Sequence, residues 1–472
     1  MPRGSIFAWT AAWGLSLLPA LPAGAQAPNP VGGEFEVNSY TRGSQNFASV
    51  SADQDGNFVV VWRSEYSFGT DRSGYSIHGR RFASNGNAQG LQFQINSYTT
   101  SHQVGPSVAA DSDGDFIVVW YSDGSSGTDT SQSSIQGQRY DSSGSKQGFQ
   151  FQVNTYTTGN QGNPSVAADS DGDFVVVWES DGSFGIDTST WSVQGQRYAS
   201  DGSTQGGEFQ VNTYTTSFQS DAAVTADADG DFVVVWDSNG SFETDISTSS
   251  IQGQRYASNG AAQGAQFQVN TYTTSDQSGP SVAASPDGDF VVAWESNGSF
   301  GTDTFYRSIQ GQRFASDGST RGAQFQVNTY TSLFQDLPSV AADADGGFVV
   351  VWGSNISFGT DNNPNSFFGG SVQGQRYGSD GSIQGAQFQV NTYTTSLQGE
   401  PSVAAAPGGD FVVVWYSNGS SGSDTSEHSI QGQRYNLEPP APPVPAMSFV
   451  TRFALAAALL LLGAAYGLRR RA

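Results

Sequence analysis

Phe174-Val175-Val176-Val177-Trp178 is the stretch on which the reading of this chain turns, because it recurs. Close variants end at Trp62, Trp120, Trp178, Trp236, Trp294, Trp352 and Trp415, spaced 58, 58, 58, 58, 58 and 63 residues apart, the longer step reflecting a five-residue insertion near Asn362–Gly370. Five consecutive apolar residues rich in β-branched types suit a strand covered on both faces. Working outward, Pro-Ser-Val-Ala-Ala-Asp and an Asp-Gly turn precede it, as at Pro164–Asp169. A polar loop, Ser-Ile-Gln-Gly-Gln-Arg-Tyr or its variant, a second Asp-Gly type turn and Phe-Gln-Val-Asn-Thr-Tyr follow. Each unit therefore holds four short β-type runs punctuated by hairpin dipeptides.

Four-stranded units repeated at a fixed period predict an all-β, seven-bladed β-propeller over residues 33–436. The small residues of Ser-Val-Ala-Ala belong nearest the axis, where blades converge, and the alternating Phe-x-Val-Asn-x-Tyr run belongs outermost. The chain enters the body with an outer-strand sequence, Phe35–Thr41, and leaves it with a third-strand sequence, Ser429–Tyr435. The first strand is thus expected to complete the seventh blade and seal the ring. Arrays of Pro-Ser-Val-Ala, Asp-Gly-x-Phe-Val-Val-Val-Trp and Gly-Gln-Arg-Tyr resemble the repeats of large exported bacterial proteins. That resemblance implies a secreted or surface role and names no activity.

The composition agrees. Of 472 residues 58 are Gly, only 13% are charged, and Lys146 is the single lysine, which is unlike a helical bundle. A formal charge of −24 repels phosphate backbones and anionic lipid, which excludes nucleic acid as a partner. There is no cysteine, hence no disulfide, thiolate nucleophile or thiolate metal site.

Both ends read as addresses. Residues 1–25 have a basic Arg3, an apolar stretch and Ala23-Gly24-Ala25, the pattern of a signal peptide cut before Gln26. A Pro-rich linker, 437–447, leads to the segment 448–472, with a 16-residue apolar run, Phe453–Leu468, and then Arg469-Arg470-Arg471. As a helix that run spans about 24 Å, which flanking arginines extend toward the ~30 Å of a bilayer core by snorkelling. The positive cluster stays cytoplasmic and the body lies outside the inner membrane. Motif, apolar helix and basic end together resemble the bacterial PEP-CTERM class of C-terminal sorting signals. Val444, Pro445 and Ser448 are similar to the opening of its IPTL-CTERM variety, with Ala446-Met447 at the centre of the motif and Arg452 at the helix start as the departures. The resemblance implies an exosortase-like membrane protease as a processing partner alongside signal peptidase; a permanent single-pass anchor is the plainer alternative.

Candidate chemistry is sparse. Asp111, Asp113 and Asp115, Asp169, Asp171 and Asp173, and Asp227, Asp229 and Asp231 place carboxylates at alternate positions of a hairpin. Such oxygens suit calcium, the one cofactor the sequence suggests; the alternative is that Asp-Gly forms a type I′ turn which the outer aspartates cap. Arg139 with Asp129, Arg197 with Asp187 and Arg255 with Asp245 recur, and are expected to brace their own blades by charge-assisted hydrogen bonds. His78, His102 and His428 occupy unrelated places in their repeats, so no catalytic residue stands out. Positions where one repeat differs from the rest are Arg63, Glu65, Tyr66, Trp191, Phe305, Tyr306, Arg307 and Asn362–Gly370. The loops between second and third strands, and between fourth and first, as in Ser238–Thr248 and Thr271–Gly279, carry hydroxyls, amides and aromatics suited to carbohydrate. The expectation is a surface-displayed or secreted module binding a glycan or protein, with no enzymatic activity; a glycan hydrolase or lyase and a structural envelope component are the alternatives.

Overall fold

The computed structural model describes residues 28–436, apart from single residues 332 and 395 and parts of the loops between second and third strands, the longest omitted stretch being 356–369. Its 28 strands form seven four-stranded antiparallel sheets, one per repeat, the seven-bladed propeller anticipated above. In the first blade Gln45–Ala52, Phe58–Glu65, Tyr75–Phe82 and Phe93–Gln94 follow one another from the axis outward. In the seventh, Asn29–Glu36 pairs with Ser429–Asn436, Asn29 opposite Asn436, so the first strand of the chain closes the ring. The two helices expected at the ends fall outside the described residues, among which no helix is long and apolar enough to cross a membrane.

The apolar run is buried on both faces because each blade is sandwiched between two others. Val175 and Val177 join a core with Val234 and Trp236 of the next blade, while Val176 and Trp178 join one with Ile117 and Val119 of the preceding blade. Seven such inter-blade cores ring the molecule, the one across the closing blade included. The seven tryptophans that end the repeated run are 0% exposed, and each indole N–H donates to the glutamine that opens its own first strand, as Trp62 does to Gln45 Oε1 at 3.1 Å. The buried N–H thereby finds its acceptor inside the blade.

Serine fixes the spacing round the axis. The hydroxyl of each Pro-Ser-Val-Ala accepts the valine N–H of the next blade: Ser49 from Val108, Ser107 from Val166 and, across the closure, Ser402 from Val50. Ala223 breaks the series, and Thr225 compensates by accepting the N–H of Ala284.

The outermost strand is shorter than expected, pairing through only two residues in most blades. Asparagine carries the pairing further. Asn96 Oδ1 accepts the N–H of Ile77, and its Nδ2 donates to the buried Asp71 of the second-to-third loop at 2.8 Å. The same Asn-Asp bond joins Asn154 to Asp129, Asn212 to Asp187 and Asn270 to Asp245.

This corrects the expected arginine–aspartate braces. Those aspartates anchor loops, whereas Arg139 donates to the carbonyl of Asp201, Arg197 to that of Ser258 and Arg255 to that of Ser316. Each arginine reaches the outer turn of the following blade. The bond is charge-assisted, but it ties blade to blade.

Candidate functional site

The fold places the starts of the first strands and the ends of the second strands at one mouth of the axis. There the seven blades enclose a funnel of about 630 Å³. Two positions per repeat vary at this mouth: the second lines the funnel in all seven blades, and of the first Glu295 does, with Arg307 beside it.

The first is the residue after the tryptophan: Arg63, Tyr121, Glu179, Asp237, Glu295, Gly353 and Tyr416. The second is the third residue of the first strand: Phe47, Gly105, Asn163, Asp221, Gly279, Leu337 and Glu400. In every blade the pairing register slips at this point, as between Asn46 and Ser49. The residue at the bulge has φ between 45° and 59° in all seven, although five of them are not glycine. A bulge rotates its side chain out of the ladder and aims it elsewhere, here at the funnel. Left-handed backbone at a non-glycine residue costs about 1–3 kcal/mol, so the ring of bulges is held in place by surrounding contacts.

Carboxylates supply part of that hold. Glu179 accepts the N–H of Asp221, Glu295 that of Leu337 at 2.7 Å, and Glu400 that of Phe47 at 3.2 Å. Each reaches from one blade to the strained residue of the next. Asp237 accepts from Ser220 Oγ, while among the described residues the carboxyl groups of Asp221 and Asp336 accept no hydrogen bond. Gly353 makes room for Asp336, since a Cβ there would lie 2.6 Å from Asp336 Oδ1.

The two sides of the funnel differ. Blades three to six contribute Glu179, Asp221, Asp237, Glu295 and Asp336, countered by Arg307, whose Nη1 lies 2.6 Å from Glu295 Oε2. Burial, reinforced by the Asp221 charge, pushes Glu179 up to about 7. The same causes push Asp237 up to about 8. Burial, with Glu295 adding, pushes Asp336 up to about 7. Blades seven, one and two present an aromatic and cationic arc. The Arg63 guanidinium lies 4.4 Å from the Phe47 ring and 4.2 Å from that of Tyr75, cation–π distances, and its Nε donates to Asn46 Oδ1. Tyr75 packs on His102 and Tyr416 on His428, ring centroids 5.0 Å apart in both pairs.

Of the asymmetric residues singled out in the sequence, Arg307 lines the funnel and Arg63 packs on Phe47, which lines it. Glu65 accepts the N–H of Ser44, Tyr66 and Tyr306 are exposed, and Trp191 is half-buried at the start of its strand. Phe305 and residues 362–369 lie outside the described residues, as do Val444, Pro445, Ser448, Arg469, Arg470 and Arg471. His78 is fully buried between Ser76 and Gln92 in the place of a glutamine; burial pushes it down to about 4, so it is neutral and structural. The funnel carboxylates escaped the sequence reading. Their signal was there, in one changing residue flanked by an unchanging Trp and Ser.

The acidic hairpins lie at the opposite mouth of the axis. Asp111 Oδ1 accepts the N–H groups of Asp113 and Asp115, Asp169 those of Asp171 and Asp173, and Asp227 those of Asp229 and Asp231. Asp115 and Asp173 accept from the neighbouring turns at Ser142 and Ser200, as Asp231 does from Ser258, and Asp113, Asp171 and Asp229 are exposed. The turn differs from the expected type I′. Only its glycine has positive φ (84° at Gly114), giving a three-residue loop closed by a left-handed glycine, because aspartate keeps the ordinary right-handed conformation. Among the described residues no group of three or more His, Asp or Glu side chains is arranged to hold a metal ion.

No protein-family model and no curated protein matches this sequence. Solved structures of similar arrangement include a protein of unknown function from Dyadobacter fermentans (11% identity over 87% of this chain and 99% of that one, TM-score 0.49). Others are the polysaccharide lyase Uly1 (10% identity, 85% and 92% covered, TM-score 0.49) and the NanB sialidase from Streptococcus pneumoniae (10% identity, 87% and 71% covered, TM-score 0.46).

Proposed function

We propose that this chain is an exported, surface-displayed or secreted propeller whose axial funnel binds a glycan lacking carboxylate and sulfate groups. The observation that carries the reading is the concentration of differences at one place. Blades alike elsewhere diverge at the side chains that face a single concave site. Carboxyl groups accept pairs of sugar hydroxyls, and the exposed ring of Phe47 offers an apolar face for the sugar ring. The crowded carboxyl groups already raise one another's pKa values, so a uronate or sialate would bring a further unfavourable charge among them. Export and display rest on the two end segments, with the tail read by an exosortase-like protease.

The test is binding of the body, Gln26–Glu438, to neutral and anionic polysaccharides, with calcium and with chelator. Saturable binding of a neutral glycan that Arg63→Ala and Asp221→Asn weaken supports the funnel. Loss on chelation would transfer the role to a metal. Binding to no glycan refutes the reading. Truncation after Glu438 should release the protein from the membrane fraction; retention there would refute the tail as anchor.

A second reading, a glycan hydrolase, is favoured by one observation. Burial raises Asp237 to about 8 and Glu179 to about 7 in neighbouring blades, the range in which a carboxyl group can serve as a general acid near neutral pH. Release of reducing ends from a bound glycan, abolished in Asp237→Asn, would establish it.

A further inference from the structure

The hairpins between first and second strands open with Asp53, Asp111, Asp169, Asp227 and Asp343 in five blades, but with Ser285 in the fifth and Ala406 in the seventh. In the blades that keep it, this aspartate is an internal ligand. Its Oδ1 takes two backbone N–H groups, those of Asp171 and Asp173 in the case of Asp169. In blades one to four its Oδ2 lies against the turn glycine of the next blade. A Cβ would meet that oxygen at 2.7 Å on Gly172 and Gly230, and at 2.8 Å on Gly288.

Blade five lacks that carboxylate. The Ser285 hydroxyl turns to the carbonyl of Asp289 at 3.3 Å, and Ser285 comes no nearer than 4.0 Å to a Cβ placed on Gly346. Among the described residues the N–H groups of Asp287 and Asp289 have no hydrogen-bond acceptor. The groove between blades five and six opens to about 450 Å³, where the equivalent grooves between blades three and four and between two and three hold about 30 and 50 Å³.

A second substitution coincides with the first. Arg321 stands where sibling repeats have Gln89, Gln147, Gln205, Gln263 and Gln384. It pairs with Asp289 beside Arg313, which every blade retains in equivalent form and which here donates to Ser379 O at 3.1 Å. The groove thus holds two guanidiniums, two unused N–H groups and, beneath them, the stacked rings of Phe290 and Phe314. Blade seven has also lost the aspartate, but its fourth strand comes from the other end of the chain, so no outer turn exists there to carry a second arginine.

We propose that the groove between blades five and six binds a small carboxylic acid of sugar-acid size, whose carboxylate takes the place of the missing aspartate. The carboxylate would accept from the N–H groups of Asp287 and Asp289 and face Arg313 and Arg321, with its body over Phe290 and Phe314. The cavity lies within the range of small-molecule sites. Asp287, Asp289, Asp345 and Asp380 also line it, where the sibling groove holds Asp169 beside one further acid, Asp173, and one arginine, Arg197; the second guanidinium here answers the added acids. The site is independent of the funnel and lies at the other end of the axis.

The test is titration of the full chain with glucuronate, acetate and glucose at constant ionic strength, chloride replacing the anion in the control, followed by calorimetry. Glucuronate and acetate should bind saturably and glucose should not. Ser285→Asp restores the sibling residue and should abolish anion binding while raising the thermal midpoint of the free protein. Arg321→Gln, also a sibling residue, should weaken binding by about tenfold, as loss of one charge-assisted contact does. Asp237→Asn in the funnel should leave it unchanged. Undiminished binding in Ser285→Asp, or no saturation in the wild type, would overturn the proposal.

Discussion

Replacing Asp237 by asparagine isolates the cost of crowding carboxyl groups at the funnel. Burial and the charges of Asp221 and Glu179 push Asp237 up to about 8, from the 3.8 of a free side chain. A carboxyl group raised in the fold is stabilising, relative to its ionised form, below its unfolded value, and that stability drains away as pH rises toward the folded value. Between the two the slope is about 1.4 kcal/mol per pH unit. From pH 5 to pH 8 the ceiling is therefore about 4 kcal/mol for this one group. Neighbouring acids share the proton release, so about 2 kcal/mol is the expected share. The substituted amide would be neutral throughout and can still accept from Ser220. The variant should match the wild type near pH 5 and exceed it near pH 8, read as the urea midpoint followed by fluorescence of the core tryptophans. An equal advantage at both pH values, or none at pH 8, would refute the electrostatic account.

Deleting Asn29–Val37 removes the closing strand, including a Phe35 ring 5.5 Å from that of Phe82 and a Val37 that is 0% exposed. Those two side chains alone represent about 3–6 kcal/mol of burial, so the whole ring should melt at markedly lower temperature; an unchanged midpoint would refute closure. Two glycine substitutions separate strain from crowding. Gly230→Ala and Gly346→Ala meet the same positive φ, 83° and 79°, but the first also meets Asp169 Oδ2 at 2.7 Å where the second has its nearest neighbour at 3.4 Å. Gly230→Ala should be the less stable by about 1–3 kcal/mol, measured by denaturant titration; equal losses would show that the contact does not matter.

The ring was legible because its determinants are repeated and local. A run apolar on both faces, small residues near the axis and a terminal strand split from its blade lead to one closed architecture. The funnel was half legible. Arg63 and Arg307 stand out as single departures from a pattern, but Glu179, Asp237 and Glu295 look like ordinary polar residues after a tryptophan. Only the bulge and the convergence of seven strands bring them to one point, and neither is written in any one repeat. The Arg139 and Asp129 pairing misled for a related reason. Two residues that recur together need not touch, and here each satisfies a different seam: Asn154 takes the aspartate, and the next blade takes the arginine.

The ladder that seals the ring also sets where the ends of the described chain lie. Asn29 and Asn436 face each other at the same end of the closing blade, the end that carries the acidic hairpins. The two ends of the described chain thus lie side by side at the base of the ring, at one point of its rim. The funnel opens at the opposite end of the axis from that point, so the surface that varies between blades and the place where the chain ends face away from each other.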